Sequence, residues 1–93
     1  MFNPPVIGIP VSGIFDSNIT GAFEFEESER GLFYICPCGC GQHGYIGFRG
    51  KTEPERPSWI WDGNREKPTL SPSIQKTSGC KTHCHLINGI WTN

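Results

Sequence analysis

Two short runs rich in cysteine and histidine constrain the fold of this chain more than any other feature of its sequence. The first run, Cys36 to His43, holds three cysteines and one histidine, and the second, Cys80 to His85, holds two of each. Thiolate and imidazole are the ligands that tetrahedral zinc prefers. We therefore predict that a single zinc ion joins these two distant segments.

The ligand set stays open, because eight side chains compete for four positions. The preferred pool contains the following residues: Cys36, Cys38, Cys40, Cys80 and His83. The three cysteines of the first run alternate along the chain, so they share one side only if that segment is extended, whereas its glycines favour a tight turn. His43 and His85 are expected to face solvent or to lie behind the ligands.

Two alternatives to zinc are weaker. In the first, the cysteines are reduced and half-buried without any metal, and their clustering disfavours this interpretation. An iron-sulfur cluster is disfavoured because neither run has a ferredoxin ligand spacing.

Length and composition predict one small, mainly β domain with little helix. A chain of 93 residues builds a thin hydrophobic core, so a metal that ties the fold together is expected. Twelve glycines and eight prolines disfavour long helices. We expect a single domain over residues 1–93, with an extended arm at 1–15 and a zinc-binding core at 31–92.

The charge and the cysteine count restrict the class of partner. A net charge of -1 argues against binding to nucleic acid, which needs a basic surface. An odd number of cysteines, five, disfavours a closed disulfide framework. Proline and glycine interrupt the apolar N-terminal stretch, which argues against a signal peptide or a membrane span. We expect a cytoplasmic protein whose partner or substrate is another protein.

Short apolar segments between turn signals predict the strands. The clearest signal is Asn88-Gly89, because the pair supplies the two positive φ angles of a type I′ turn and so predicts a hairpin over Leu86–Trp91. Two prolines make Pro68–Ile74 an edge strand or a shaped loop. Other strands are expected within residues 19–25, 31–36, 45–48 and 58–61.

Four sequence blocks resemble a known family. They are CPCGCG at 36–41, WDGN at 61–64, PTLSPSI at 68–74, and Cys80-x2-His83 followed by an Asn-Gly turn. In this order and spacing they resemble small bacterial and phage proteins, many of them labelled "ammonia monooxygenase". The same domain is similar to the deconjugating peptidase encoded beside bacterial ubiquitin-like modifiers in the Bub operons.

The resemblance implies a zinc-stabilised, β-rich domain that could act as a hydrolase on a ubiquitin-like tail. It carries over to the following positions: Cys36, Cys38, Cys40, Asp62, Asn64, Ser71, Ser73, Cys80 and His83. Cys84 and His85 depart from the family pattern, which leaves open which histidine binds metal and which is free for catalysis. The monooxygenase label implies nothing here, because the sequence has no copper-site pattern.

A serine peptidase needs a hydroxyl nucleophile and a base within hydrogen-bond reach. Ser71 or Ser73 is the candidate nucleophile, and His83 is the candidate base, or His85 if His83 binds zinc. Asp62 is the candidate for orienting that base. Against this stands the simpler interpretation that serines beside proline satisfy turn backbone.

Two other functions compete with the serine peptidase. The first is a metallohydrolase, whose zinc ion needs an open position for water. The many thiols favour a closed, structural zinc site instead. The non-enzymatic alternative is a zinc-stabilised protein-interaction module. A serine hydroxyl within about 3 Å of a histidine nitrogen that holds no metal would favour the enzyme.

Overall fold

The computed structural model describes residues 4–51, 57–75, 80 and 82–93, and within them the chain forms short strands joined by turns. One sheet contains β1 (Val6–Ile7), β8 (Ile74–Gln75), β9 (His83–Ile87) and β10 (Ile90–Thr92), and its strand order is β1-β10-β9-β8. All neighbouring strands of this sheet are antiparallel.

The second sheet has the strand order β2-β3-β4-β5. Its strands are β2 (Ile9–Pro10), β3 (Ala22–Phe25), β4 (Gly31–Ile35) and β5 (His43–Gly47). A two-stranded sheet pairs β6 (Ile60–Trp61) with β7 (Leu70–Ser71), and a 3-10 helix covers Ile14–Asp16. The prediction of a mainly β protein with little helix is confirmed.

All three sheets contribute to one hydrophobic core. Its members include Phe23 and Leu32 from the second sheet, Leu70 from the two-stranded sheet, and Leu86 and Trp91 from the first. Each of these side chains is at most 3% exposed. Burial of large apolar side chains is the main source of stability in a protein of this size, so the sheets stabilise one another.

The C-terminal hairpin is confirmed. Asn88 and Gly89 have φ angles of 54° and 74° and connect β9 to β10, where Ile87 pairs with Ile90. The strand predicted for residues 19–25 is shorter than expected, because Gly21 has a φ of 81° and the strand begins only at Ala22. Ile19 therefore lies outside the sheet and is 41% exposed.

The N-terminal segment takes part in both larger sheets. Val6 pairs with Trp91 in the first sheet, and Ile9 pairs in parallel with Ala22 in the second. Among the described residues there is no helix whose length and apolar character would let it cross a membrane.

Two glycines in turns provide a matched test of the hairpin. A Cβ atom at Gly89 would lie 2.9 Å from the Cα of Lys67, whereas one at Gly63, which has a similar positive φ, would meet nothing within 4 Å. Gly63→Ala should therefore lower the free energy of unfolding by about 1 kcal/mol, which is the cost of placing alanine in a left-handed conformation. Gly89→Ala should lower the free energy of unfolding by roughly twice as much, since overpacking of the new methyl group against Lys67 adds a similar cost. Equal losses in urea unfolding would contradict this account.

Glu24 on β3 holds the start of the 3-10 helix. Its carboxylate accepts hydrogen bonds from the backbone N–H groups of Gly13 and Ile14, at 3.1 and 3.0 Å. These bonds favour the charged carboxylate, so they lower the pKa of Glu24 below its ordinary value of 4.5.

Glu24→Gln should weaken this contact in a pH-dependent way. Because the folded-state pKa of Glu24 is lowered, its stabilisation is present above about pH 4.5 and is lost as the pH falls through the folded-state value. The variant should lose about 1 kcal/mol at neutral pH, a figure reduced for solvent screening. That difference should vanish at low pH in unfolding measurements, whereas Glu27→Gln, at an exposed position, should match wild type throughout.

Candidate functional site

The first cysteine run forms a tight turn at the end of β4. Cys36 donates its backbone N–H to Gln42 at 2.8 Å, and Gly39 donates to the carbonyl of Cys36 at 3.3 Å. Gly39 and Gly41 have φ angles of 93° and 80°, which side chains rarely adopt. The glycines therefore let the chain curl so that three cysteines face a common point.

Four thiols meet at that point. The Sγ atoms of Cys36, Cys38, Cys40 and Cys80 all lie within 4.8 Å of one another. The Sγ of Cys36 is 3.2 Å from that of Cys38 and 3.5 Å from that of Cys80. We refer to these four residues as the thiol cluster. None of the five cysteines forms a disulfide.

The geometry of the thiol cluster fits a tetrahedral metal ion. Zinc–sulfur bonds of about 2.3 Å place the sulfur atoms of such a site about 3.8 Å apart, close to the separations seen here. Within the thiol cluster Cys36 is buried and Cys40 is exposed, so the cluster lies at the edge of the core. Four protein ligands would close the coordination sphere, which is typical of structural sites.

The hydroxyl of Thr82 forms hydrogen bonds with two thiols of the cluster. Its Oγ1 lies 3.0 Å from the Sγ of Cys80 and 3.7 Å from that of Cys36. The bond to Thr82 lowers the pKa of Cys80 to about 6, whereas burial raises that of Cys36 to about 12. A bound cation would instead lower the pKa of Cys36, because coordinated thiols lose their protons.

A serine and a histidine form the second constellation. The Oγ of Ser73 lies 2.8 Å from the Nε2 of His83, which is hydrogen-bond distance. Ser73 is half-buried in the turn between β7 and β8, and His83 begins β9 and is exposed. Among the described residues, the cluster of metal-ligand candidates contains four cysteines and does not include His83. We refer to these two residues as the dyad.

Strand alternation explains why His83 faces outward. Along β9 the side chains of Cys84 and Leu86 are buried, and His83 and Ile87 are exposed. His85 lies on the same face as His83, with 5.7 Å between the ring centroids. Cys84 points to the core instead of joining the thiol cluster.

Two further candidates, Ser71 and Asp62, have other partners. Ser71 is exposed and pairs with Ile60 between β7 and β6. The hydrogen bond to His83 is made by Ser73. Asp62 accepts hydrogen bonds from the backbone N–H groups of Asn64 and Thr69, at 3.1 and 3.2 Å. The carboxylate of Asp62 thus braces its own loop.

His43, the last member of the first run, lies apart from the thiol cluster. Its ring stacks on Phe15 with centroids 5.5 Å apart, and its Nε2 lies 3.3 Å from the carbonyl oxygen of Ile14.

Sequence reasoning missed two side-chain contacts with these constellations. Thr82 could have been noticed from its position between Cys80 and His83. Trp59 donates its indole N–H to the carbonyl of Ser73 at 3.1 Å, and nothing in the sequence signals that contact.

Comparison with known proteins identifies one family. A family model described as "Bacterial ubiquitination-like system serine protease (BubE)" matches residues 14–93. The match includes the whole of the thiol cluster and both members of the dyad. Neither the curated proteins nor the solved structures contain a significant match.

Proposed function

Because the chain belongs to the family of bacterial ubiquitination-like system serine proteases, we propose that it is a serine peptidase that cleaves at the C-terminal tail of a ubiquitin-like protein. The observation that carries this proposal is the 2.8 Å contact between the Oγ of Ser73 and the Nε2 of His83. A hydroxyl this close to an imidazole outside the thiol cluster favours an enzyme over a purely structural interaction module.

The dyad supports the usual chemistry of acyl transfer. With its proton on Nδ1, His83 accepts the hydroxyl proton at Nε2 while the Oγ of Ser73 attacks the carbonyl carbon of the scissile bond. His83 then donates that proton to the departing amine, which leaves an ester on Ser73. Water then attacks the ester carbonyl while the same imidazole takes a proton from it. The imidazole passes that proton to the departing Oγ, which restores the serine and releases the carboxylic acid product.

An outward-facing dyad suits a protein substrate. His83 is exposed on the open face of a sheet, whereas sites for small molecules are usually concave. An extended tail can lie across such a face and bring its peptide bond to Ser73. In this proposal Ser71 is not the nucleophile, and Asp62 shapes its loop and does not orient the base.

We also propose that the thiol cluster holds one zinc ion. Four cysteines and no free position describe a structural site, so zinc would stabilise the turn at Cys36 and the start of β9 without acting on substrate. His83, assigned here to the dyad, is then not a ligand. Reduced thiols fit a cytoplasmic location, which we include in the proposal.

Ser73→Ala should abolish the activity. Removing the nucleophile of a serine hydrolase lowers the rate by about a thousandfold or more, so cleavage of a reporter fused to the tail of a ubiquitin-like protein should nearly stop. His83→Ala should have a similar effect. Ser71→Ala is the matched control and should stay within roughly threefold of wild type. Full activity of Ser73→Ala would exclude this mechanism.

Metal analysis of the purified protein should find about one zinc ion per chain. Cys36→Ser and Cys80→Ser should each lose most of this metal and lower the thermal midpoint, because structural zinc binding contributes directly to folding. Cys84→Ser, which alters a buried thiol outside the thiol cluster, should retain it. A protein without zinc, or one in which all three variants bind it equally, would refute the assignment.

A further inference from the structure

Three tryptophans each donate an indole N–H to a backbone carbonyl in a turn or loop. Trp59 donates to Ser73 at 3.1 Å, Trp61 to Asn64 at 3.0 Å, and Trp91 to Gly21 at 2.8 Å. A tryptophan usually finds a partner for this group when it is partly buried. The bond from Trp59 differs from the others because its acceptor belongs to the residue that carries the nucleophile.

Trp59 is itself fixed to the end of β5. Its backbone N–H donates to the carbonyl of Gly47 at 2.9 Å, and its carbonyl accepts a bond from the N–H of Arg49 at 2.7 Å. Phe48 forms a parallel bridge with Trp59. The indole thus extends from a segment anchored on the second sheet to a turn that belongs to the other two.

Ser73 lies between two different sheets. Ser71, before it, pairs with β6, and Ile74, after it, pairs with Cys84 on β9. Pro72 between them has no N–H to donate. The hydrogen bond from Trp59 holds the peptide group between Ser73 and Ile74. This group adjoins the Cα atom that carries the serine side chain, so the bond restricts where the Oγ lies relative to the imidazole of His83.

We propose that Trp59 is a positioning residue for the dyad: its indole N–H fixes the Ser73 peptide plane and so aims the nucleophile at His83. This inference rests on the proposed function and deepens it, because it names what aligns the reacting hydroxyl. A misplacement of about 1 Å from productive geometry can lower a rate by about a hundredfold.

The test measures the reactivity of Ser73 directly. A fluorophosphonate probe esterifies an activated serine, with fluoride leaving and the hydroxyl proton passing to the base, so its maximal labelling rate reports alignment. Trp59→Phe keeps an aromatic ring but removes the N–H donor. It should lower the maximal labelling rate about tenfold, with little change in the probe concentration for half-maximal rate.

Trp61→Phe is the matched control. It also loses an indole hydrogen bond to a loop carbonyl from a half-buried position, but its acceptor lies in the Asn64 loop. It should label at nearly the wild-type rate even if both variants lose similar stability. Equal labelling rates for the two variants would overturn the inference.

A second replacement separates the missing hydrogen bond from lost packing. Incorporation of 3-benzothienylalanine at position 59 keeps the two-ring shape and replaces the N–H group with a sulfur atom, which cannot donate a hydrogen bond. It should reproduce the slow labelling of Trp59→Phe, and a wild-type rate would overturn the inference. If wild type itself neither labels at Ser73 nor cleaves, the proposed function fails instead, so the two failures are distinguishable.

Discussion

The close approach of Cys36 and Cys80 is the contact on which the geometry of the candidate site depends. These thiols lie 3.5 Å apart although they come from opposite halves of the chain. Bringing such distant segments together costs loop-closure entropy, which the shared hydrophobic core offsets and which a metal ion on the thiols would offset further. The contact fixes the position from which β9 begins, and His83 lies at that strand's first residue.

The two members of the dyad are supported by different parts of the molecule. His83 is carried by a strand that starts beside the thiol cluster, with Thr82 bonded to its sulfur atoms. Ser73 is carried by a turn that Trp59 connects to the second sheet. Because the supports are separate, a distortion of either one would change the distance between the Ser73 hydroxyl and the His83 imidazole. The geometry of the dyad therefore depends on both regions of the fold.

Parts of this structure could be predicted from sequence because local chemistry determines them. Asn88-Gly89 has few conformations other than a hairpin turn, and glycines between closely spaced cysteines favour a curled loop. The choice between His83 and His85 as partner of a serine could not be predicted, because it depends on a register formed across the chain, in which Gln75 pairs with His83. The contact of Trp59 with Ser73 could not be predicted from the sequence either, since it joins segments that belong to separate sheets.

The pairing of β1 with β10 has a consequence for how the molecule is made. Val6 lies opposite Trp91, so β1 finds its neighbour only after β10, which follows the other described strands in the sequence, has been synthesised. Contacts between distant residues also slow folding, because the intervening chain must first be ordered. The second sheet, built from nearer segments, can form earlier, and the face that bears the dyad is completed afterwards. A chain that ends before β10 would therefore lack the completed sheet face on which the dyad lies.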